Sequence, residues 1–259
     1  MATDVVNDVP LTVLPPELHP DIDHLVTEDD TPVDSIFHEK QQSLLSRTLH
    51  SSWPGGGEGR RFVAMANVGL FYSIYSPAIV PDTLLSLDVA LPADVWPKRA
   101  RSYFVWEYGK APEVVVEVVS NREGGEDSEK MSIYARAGVR YYVIFDPQRF
   151  LSHEVVRAYR LEGMHFEKLA GPVWFSEVGL GLRLWEGRYE DLEATWLRWV
   201  DAQGVLIPTG DERAEAERQR ADSEQRRAEE ERQRAVAERQ RADRLAEKLR
   251  QLGVDPLAE

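Results

Sequence analysis

The stretch Pro112-Glu-Val-Val-Val-Glu-Val-Val-Ser-Asn-Arg-Glu-Gly-Gly-Glu-Asp-Ser-Glu-Lys130 predicts the centre of the fold. Its first half is β-branched and apolar, which favours a buried strand, and it carries one interior carboxylate, Glu117. Strand alternation places Val114, Val116 and Val118 on one face and Glu117 on the other. A bare buried carboxylate is too costly, so Glu117 must be paired, metal-bound or protonated.

A helix is predicted between Gly125 and Gly138, with Lys130 near its start, and a strand follows over residues 140–146. Because the connection between the two strands contains a helix, they are expected to be parallel neighbours. The remaining strands read as hairpins, which are antiparallel. The predicted fold class is therefore α/β (α+β), with a mixed sheet flanked by few helices.

The other elements are predicted from periodicity and turn residues. Ser35 is a candidate N-cap for a helix over residues 36–49, with Ile36, Phe37, Leu44, Leu45 and Leu49 near one face. Further strands are predicted at 61–66 and 69–75, joined by a turn at Asn67, and at 82–89, 102–107, 154–161, 164–169 and 180–185.

Composition limits the classes of function. The chain has 259 residues and no cysteine, which excludes disulfides, thiolate metal sites and thiol nucleophiles. The N-terminus lacks the basic and apolar regions of a secretory signal, and no apolar run approaches the roughly 18–20 residues that span a bilayer. The expected location is therefore the cytoplasm.

Charge is distributed unevenly along the chain. Residues 1–35 contain nine acids and no Lys or Arg, whereas residues 36–210 contain 22 acids and 19 bases. The nearly neutral central part does not suggest strong non-specific binding of nucleic acid. We expect an acidic, extended or partly disordered lead-in over residues 1–33, a folded domain over 34–208, and a separate helical segment over 211–252.

That last segment is a charged repeat in which alanine recurs every seven residues, at 214, 221, 228, 235 and 242. The position three residues after each of the first four alanines is Glu, so an apolar coiled-coil seam exists only near Ala242, Leu245, Leu249 and Leu252. The segment is expected to be a long helix. Two alternatives remain open: a short coiled coil that forms a homo-oligomer, and a lone helix held by its own ion pairs.

Asp82, Glu117 and Lys130 are candidate residues of one site. Two carboxylates on adjacent strands suit Mg²⁺ or Mn²⁺, and the backbone carbonyl of Val119 could supply a third ligand. A bound metal would polarise a phosphoryl oxygen and lower the pKa of a water molecule, and a lysine nearby could position that water.

The order of motifs resembles a known family. Pro81-Asp82, an apolar strand, Glu117-Val-Val-Ser-Asn121, a Gly-containing acidic loop, Lys130, Tyr134-Ala-Arg-Ala-Gly-Val139 and Tyr141-Tyr-Val-Ile-Phe-Asp-Pro147 look like the Uma-type restriction endonuclease family of the PD-(D/E)XK superfamily. The resemblance covers roughly residues 34–200. A charged C-terminal helix is a familiar extension in that family.

The resemblance implies a restriction-endonuclease-like fold and metal-dependent hydrolysis of DNA. It assigns Asp82 and Glu117 as the two acids, and Glu39 as a loosely matched additional acid. Val119 occupies the position of the usual lysine, and the resemblance implies that a lysine on the following helix, here Lys130, takes that role.

Other readings of the same residues remain open. Glu117 could be a core acid that is paired with Lys130 or Arg136 and has no other role, and Glu39 could be a surface residue. The expected function is a Mg²⁺-dependent endodeoxyribonuclease, with DNA as substrate. The alternatives are a nuclease-fold protein that binds nucleic acid or a partner without cutting it, and an oligomerisation module built on the repeat.

Overall fold

A computed structural model describes residues 18–25, 35–57, 59–122 and 125–251, with side chains to residue 248. The helices are α1 (Ile36–Ser52), α2 (Val105–Tyr108), α3 (Glu129–Ala137) and α4 (Gly210–Gln251). The strands are β1 (Phe62–Ala66), β2 (Leu70–Phe71), β3 (Thr83–Leu87), β4 (Tyr103–Phe104), β5 (Val114–Val118), β6 (Tyr141–Phe145), β7 (Val156–Glu162), β8 (His165–Lys168), β9 (Val173–Phe175), β10 (Leu180–Tyr189) and β11 (Leu192–Val200).

A six-stranded sheet in the order β1-β3-β5-β6-β7-β8 forms the middle of the fold. Only β5 and β6 are parallel; the other neighbours in this sheet are antiparallel. The parallel pair is connected through α3, as the strand–helix–strand pattern predicts. The predicted fold class, a mixed sheet with flanking helices and a long C-terminal helix, is confirmed, and it is consistent with a restriction-endonuclease-like fold.

The two faces of β5 belong to different apolar clusters. Val114, Val116 and Val118 pack with residues of α1 and of a second, antiparallel sheet, β11-β10-β9. Val115 and Val119 pack on the opposite face with residues of α3 and β6. The alternation of side chains predicted for this strand is therefore confirmed. It leaves the Glu117 side chain on the face that α3 covers.

Helix α1 begins where its capping residue predicts. The Ser35 side chain accepts a hydrogen bond from the His38 backbone N–H at 3.3 Å. Leu44, Leu45 and Leu49 are buried, but Ile36 is 76% exposed, so the prediction that it lies on the apolar face is wrong. Ile36 is the first residue of the helix, and the side chain that meets the core there is that of Phe37, whose ring stacks 5.1 Å from that of Trp196.

Two strand predictions are also wrong. Strand β2 does not form a hairpin with β1; it pairs in parallel with β4 in a separate two-stranded sheet. The aromatic run 102–107 is a strand only at Tyr103–Phe104 and then becomes the short helix α2. In both places the aromatic side chains stack on each other, with the rings of Phe71 and Phe104 4.8 Å apart. This contact joins β2 to a segment more than thirty residues away, so packing and not the nearest turn decides the partner of β2.

The predicted lead-in falls mostly on residues 1–17 and 26–33, outside the described residues. Residues 18–25 are described, and Ile22 and Leu25 are buried in a cluster with Phe71 and Phe104. This short part of the acidic segment therefore contributes to the core.

Backbone contacts divide the chain after Thr209, which makes α4 part of a unit of its own. The helix is 42 residues long and exposed along nearly all of its described length, as its charged composition predicts. Side chains spaced four residues apart bond along it, such as Gln219 to Glu215 at 2.8 Å and Gln233 to Glu229 at 3.0 Å. Among the described helices, none is both long enough and apolar enough to cross a lipid bilayer.

Candidate active site

The antiparallel pairing of β3 and β5 places Asp82 beside Glu117. Thr83 is the register partner of Val116, so the residue before β3 reaches the level of Glu117 near the end of β5. Lys130 is the second residue of α3, which covers the same face, and its Nζ lies 2.9 Å from Glu117 Oε2. The structure thus brings together the two acids and the lysine that the sequence singles out.

Asp82 is fixed from two directions. Its Oδ2 accepts a hydrogen bond from the Val118 backbone N–H at 2.6 Å, and its Oδ1 accepts one from Gln42 Nε2 at 2.6 Å. Burial raises the pKa of the Asp82 carboxyl, and these two donors oppose the rise. Gln42 lies on α1, so the first helix orients an acid that belongs to the sheet.

Glu117 is almost fully buried, at 1% exposure. Its Oε1 accepts a hydrogen bond from the Tyr134 hydroxyl, which comes from α3. Burial, followed by the negative charge of Asp82, raises the pKa of the Glu117 carboxyl to about 8, against the opposing effects of Lys130 and Tyr134. A buried acid whose ionisation is hindered by burial and by a neighbouring acid is typical of a functional site.

A third acid, Glu126, belongs to the same cluster. It is 4% exposed, and its Oε1 lies 3.2 Å from Lys130 Nζ. Its backbone carbonyl accepts a hydrogen bond from the Tyr142 hydroxyl at 2.8 Å. Burial lowers the pKa of the Lys130 ammonium, but the carboxylates of Glu117, Glu126 and Asp82 outweigh that effect and raise it above its ordinary value.

The sequence did not predict a site role for His38, Gln42, Glu126, Tyr134 or Tyr142, which also contact this cluster. His38 Nε2 donates to the Val118 carbonyl at 3.0 Å, which ties the start of α1 to the end of β5. The signal that could have revealed His38 and Gln42 is their spacing, because they lie on the stripe of α1 that continues through Leu45 and Leu49.

Glu39 lies outside this cluster of contacts. It is exposed, its carboxylate accepts a hydrogen bond from Ser43 Oγ at 3.0 Å, and it lies 3.3 Å from Lys40 Nζ. Val119 is buried beside the site, and its N–H donates to the Phe145 carbonyl at 2.8 Å. A part in the site for Glu39, and the Val119 carbonyl as a metal ligand, stay predictions.

The donor set suits a hard divalent cation in its chemistry. Asp82 and Glu117 offer carboxylate oxygens, the ligands that Mg²⁺ and Mn²⁺ prefer. Within the described part of the chain, no group of three His, Asp or Glu side chains is arranged to hold a metal. Mg²⁺ commonly binds through one or two carboxylates and completes its shell with water and substrate phosphates, so two acids are sufficient for such a site.

Comparison with known proteins places the chain in a family. Residues 27–178 match the family model Uma2, described as "Putative restriction endonuclease". No curated protein matches the chain. The matched region contains β1 to β9, the two acids, the lysine and the helix that carries it. Since the match spans more than half of the chain, the protein belongs to the Uma2 family.

Proposed function

We propose that the protein is a metal-dependent endonuclease that hydrolyses phosphodiester bonds in DNA. In this proposal Asp82 and Glu117 hold Mg²⁺ or Mn²⁺, and Lys130 positions the attacking water. The observation that carries the proposal is the 2.9 Å contact between Lys130 Nζ and the buried Glu117 carboxylate, next to Asp82. The family description supports a nuclease, a hydrolase with DNA as its substrate.

The described residues suit this chemistry. A divalent cation bound by the two acids would polarise the phosphoryl group and lower the pKa of water. Gln42 and the Val118 N–H hold Asp82 in place, and Tyr134 holds Glu117. Both acids are therefore fixed by hydrogen bonds before a metal binds. Lys130 carries three N–H donors, of which two contact carboxylates, and a third can orient a water molecule.

A purely structural ion pair explains the cluster less well. One ammonium faces three acids of which two are buried and the third, Asp82, is half-buried. Burying a carboxylate beside another carboxylate reduces stability, and an apolar core of the same size would avoid that cost. Proteins retain such an arrangement where activity requires it. A cation between Asp82 and Glu117 would offset their mutual repulsion.

The proposal is tested by cleavage of DNA with purified protein. We expect cleavage of at least one among linear duplex, nicked duplex and single-stranded DNA with Mg²⁺ or Mn²⁺, and a complete loss of cleavage when EDTA removes the metal. Asp82→Asn and Glu117→Ala are purified in parallel to exclude a contaminating nuclease. Equal residual cleavage by wild type and both variants would contradict the proposal, and binding of DNA without cleavage would favour the non-cutting alternative.

We also propose that α4 associates with a second copy of the chain. The support is its apolar seam near Ala242 and Leu245, where the Leu245 side chain is 61% exposed. We expect the sedimentation coefficient of the full chain to rise with concentration, and that of a 1–209 truncation to stay constant. Because the seam is short, association should need micromolar or higher concentrations. A concentration-independent monomer in both proteins would reject this proposal.

A further inference from the structure

The Lys130 ammonium is shared between two carboxylates of different surroundings. Its Nζ lies 2.9 Å from Glu117 Oε2 and 3.2 Å from Glu126 Oε1. Glu117 is one of the two acids proposed to bind the metal, and a cation there would compete with Lys130 for its carboxylate. Glu126 is held by a different part of the fold. The two contacts of Lys130 therefore need not respond alike when a metal binds.

We propose that Glu126 is a positioning residue that retains the Lys130 ammonium at the site when Glu117 turns its carboxylate to the metal. This inference rests on the proposed metal-dependent cleavage and assigns a residue to it that the family match does not identify. Glu126 acts through Lys130 and does not touch the DNA or the metal.

Glu126 has unused capacity to accept hydrogen bonds. Its Oε1 contacts Lys130, whereas its Oε2 is buried and has no hydrogen-bond partner in the described structure. A buried carboxylate oxygen without a donor is unfavourable, so a further N–H would stabilise it. The N–H of Lys130 that leaves Glu117 can supply that donor. Glu126 Oε2 would therefore gain a hydrogen-bond donor only when Glu117 binds the metal.

The backbone holds Glu126 and Lys130 at a fixed separation. The Lys130 N–H donates to the Gly125 carbonyl at 3.0 Å, which closes the turn that begins α3. Glu126 lies four residues before Lys130, a spacing that brings side chains together on a helical turn. The Tyr142 hydroxyl holds the Glu126 carbonyl from β6 at 2.8 Å. Glu126 is therefore anchored independently of Glu117.

Lys130 needs a second carboxylate partner when a metal binds. A divalent cation at Asp82 and Glu117 would repel the ammonium while taking away the carboxylate that it contacts. A partly buried ammonium without a counter-charge is strongly disfavoured, so Lys130 would turn toward solvent. Glu126 remains as a buried counter-charge that prevents this movement, and the lysine stays within reach of the attacking water.

The test compares Glu126→Gln with the control Glu129→Gln in the full chain. Glu129 is an exposed acid in the first turn of the same helix. The accessibility of the Lys130 amine is measured with an amine-reactive reagent and peptide mass spectrometry, with and without Mg²⁺. Without metal, Glu117 holds Lys130, and we expect similar labelling of both variants. With Mg²⁺, we expect labelling of Lys130 in Glu126→Gln to be faster by about tenfold, the factor that a hydrogen bond to a charged group contributes at the low end.

Cleavage provides the second measurement. We expect Glu126→Gln to lower the single-turnover rate at saturating DNA by about tenfold or more, with an unchanged Kd for DNA, because the contact acts on the water and not on substrate binding. A merely structural role would instead lower the melting temperature without the Mg²⁺-dependent change in labelling.

The outcomes separate this inference from the proposed function. Mg²⁺-dependent labelling of Lys130 in Glu126→Gln supports the inference even if the wild type cleaves no DNA, in which case only the proposed function fails. Equal labelling of Glu126→Gln and Glu129→Gln in Mg²⁺ overturns the inference, whether or not the wild type cleaves DNA. If wild type and Glu126→Gln also cleave at equal rates, the proposed function stands without a role for Glu126.

Discussion

Replacing Glu117 by Gln is expected to lower the rate of DNA cleavage by at least about 10³-fold, or about 4 kcal/mol in the barrier. Gln has the size of Glu and can still accept the hydrogen bond from Tyr134, but it lacks the negative charge that binds a divalent cation. The measurement is the single-turnover cleavage rate over a range of Mg²⁺ concentrations. Because the loss arises from weaker metal binding, raising Mg²⁺ should recover part of the wild-type rate.

The same variant should change how stability depends on pH in the metal-free protein. The pKa of the Glu117 carboxyl is raised from 4.5 to about 8 by burial and by Asp82, so the folded state keeps a proton that the unfolded state loses. The stability from this proton is fully present below pH 4.5 and is lost as the pH rises through about 8. Its contribution to the slope is up to about 1.4 kcal/mol per pH unit. Glu117→Gln should lack this contribution.

The control for both measurements is Glu129→Gln, which removes an exposed acid from the same segment. It should cleave DNA at the wild-type rate and keep the wild-type dependence of stability on pH. If Glu117→Gln cleaved DNA at the wild-type rate, Glu117 would not be a metal ligand. Parallel pH profiles of Glu117→Gln and wild type would show that the Glu117 carboxyl is already ionised near neutral pH.

Replacing Lys130 by Met is expected to lower the cleavage rate by about 10²–10³-fold, with little change in DNA affinity. Met keeps much of the length and apolar character of the lysine stem but removes all three N–H donors. The two carboxylates that Lys130 contacts, Glu117 and Glu126, would then lose their common counter-charge. The metal-free variant should also have a lower free energy of unfolding above neutral pH, measured by urea denaturation.

A matched control is Lys168→Met, because Lys168 pairs with the carboxylate of Glu154 at the surface, outside the cluster. That pair is worth little to stability, so both cleavage and unfolding should stay near wild type. If Lys130→Met cleaved DNA at the wild-type rate, the role of positioning the water would belong to another group. A fall in DNA affinity with an unchanged rate would instead make Lys130 a phosphate contact.

The alternation of β5 could be predicted because it follows from local stereochemistry. Successive side chains of a strand point to opposite faces, so the positions of the valines and of Glu117 followed from the sequence once the strand was recognised. The parallel pairing of β5 and β6 could also be predicted, since a helical connection allows few other arrangements. The start of α1 followed from Ser35, whose side chain caps it.

Predictions failed where packing between distant segments decides the structure. Strand β2 pairs with β4, more than thirty residues away, and nothing in its own sequence distinguishes this partner from β1. The sequence did not predict the burial of Glu126, because an acid in a Gly-containing loop is ordinarily exposed. In the structure Glu126 is buried beside α3, and its carbonyl accepts a hydrogen bond from Tyr142. Gln42 looked like a polar residue of a helix, and only the position of β3 makes it a donor to Asp82.

The sequence by itself determined which residues could carry the chemistry, through the order of Asp82 before β3, Glu117 in β5 and Lys130 in α3. It also determined the two faces of β5 and the long charged helix α4, because these depend on the local periodicity of side chains. Only the tertiary structure decided which groups surround the acids, and that the lysine contacts both Glu117 and Glu126. The physical reason is that hydrogen bonds and ionisation depend on distances of a few ångström between segments that the chain order leaves open.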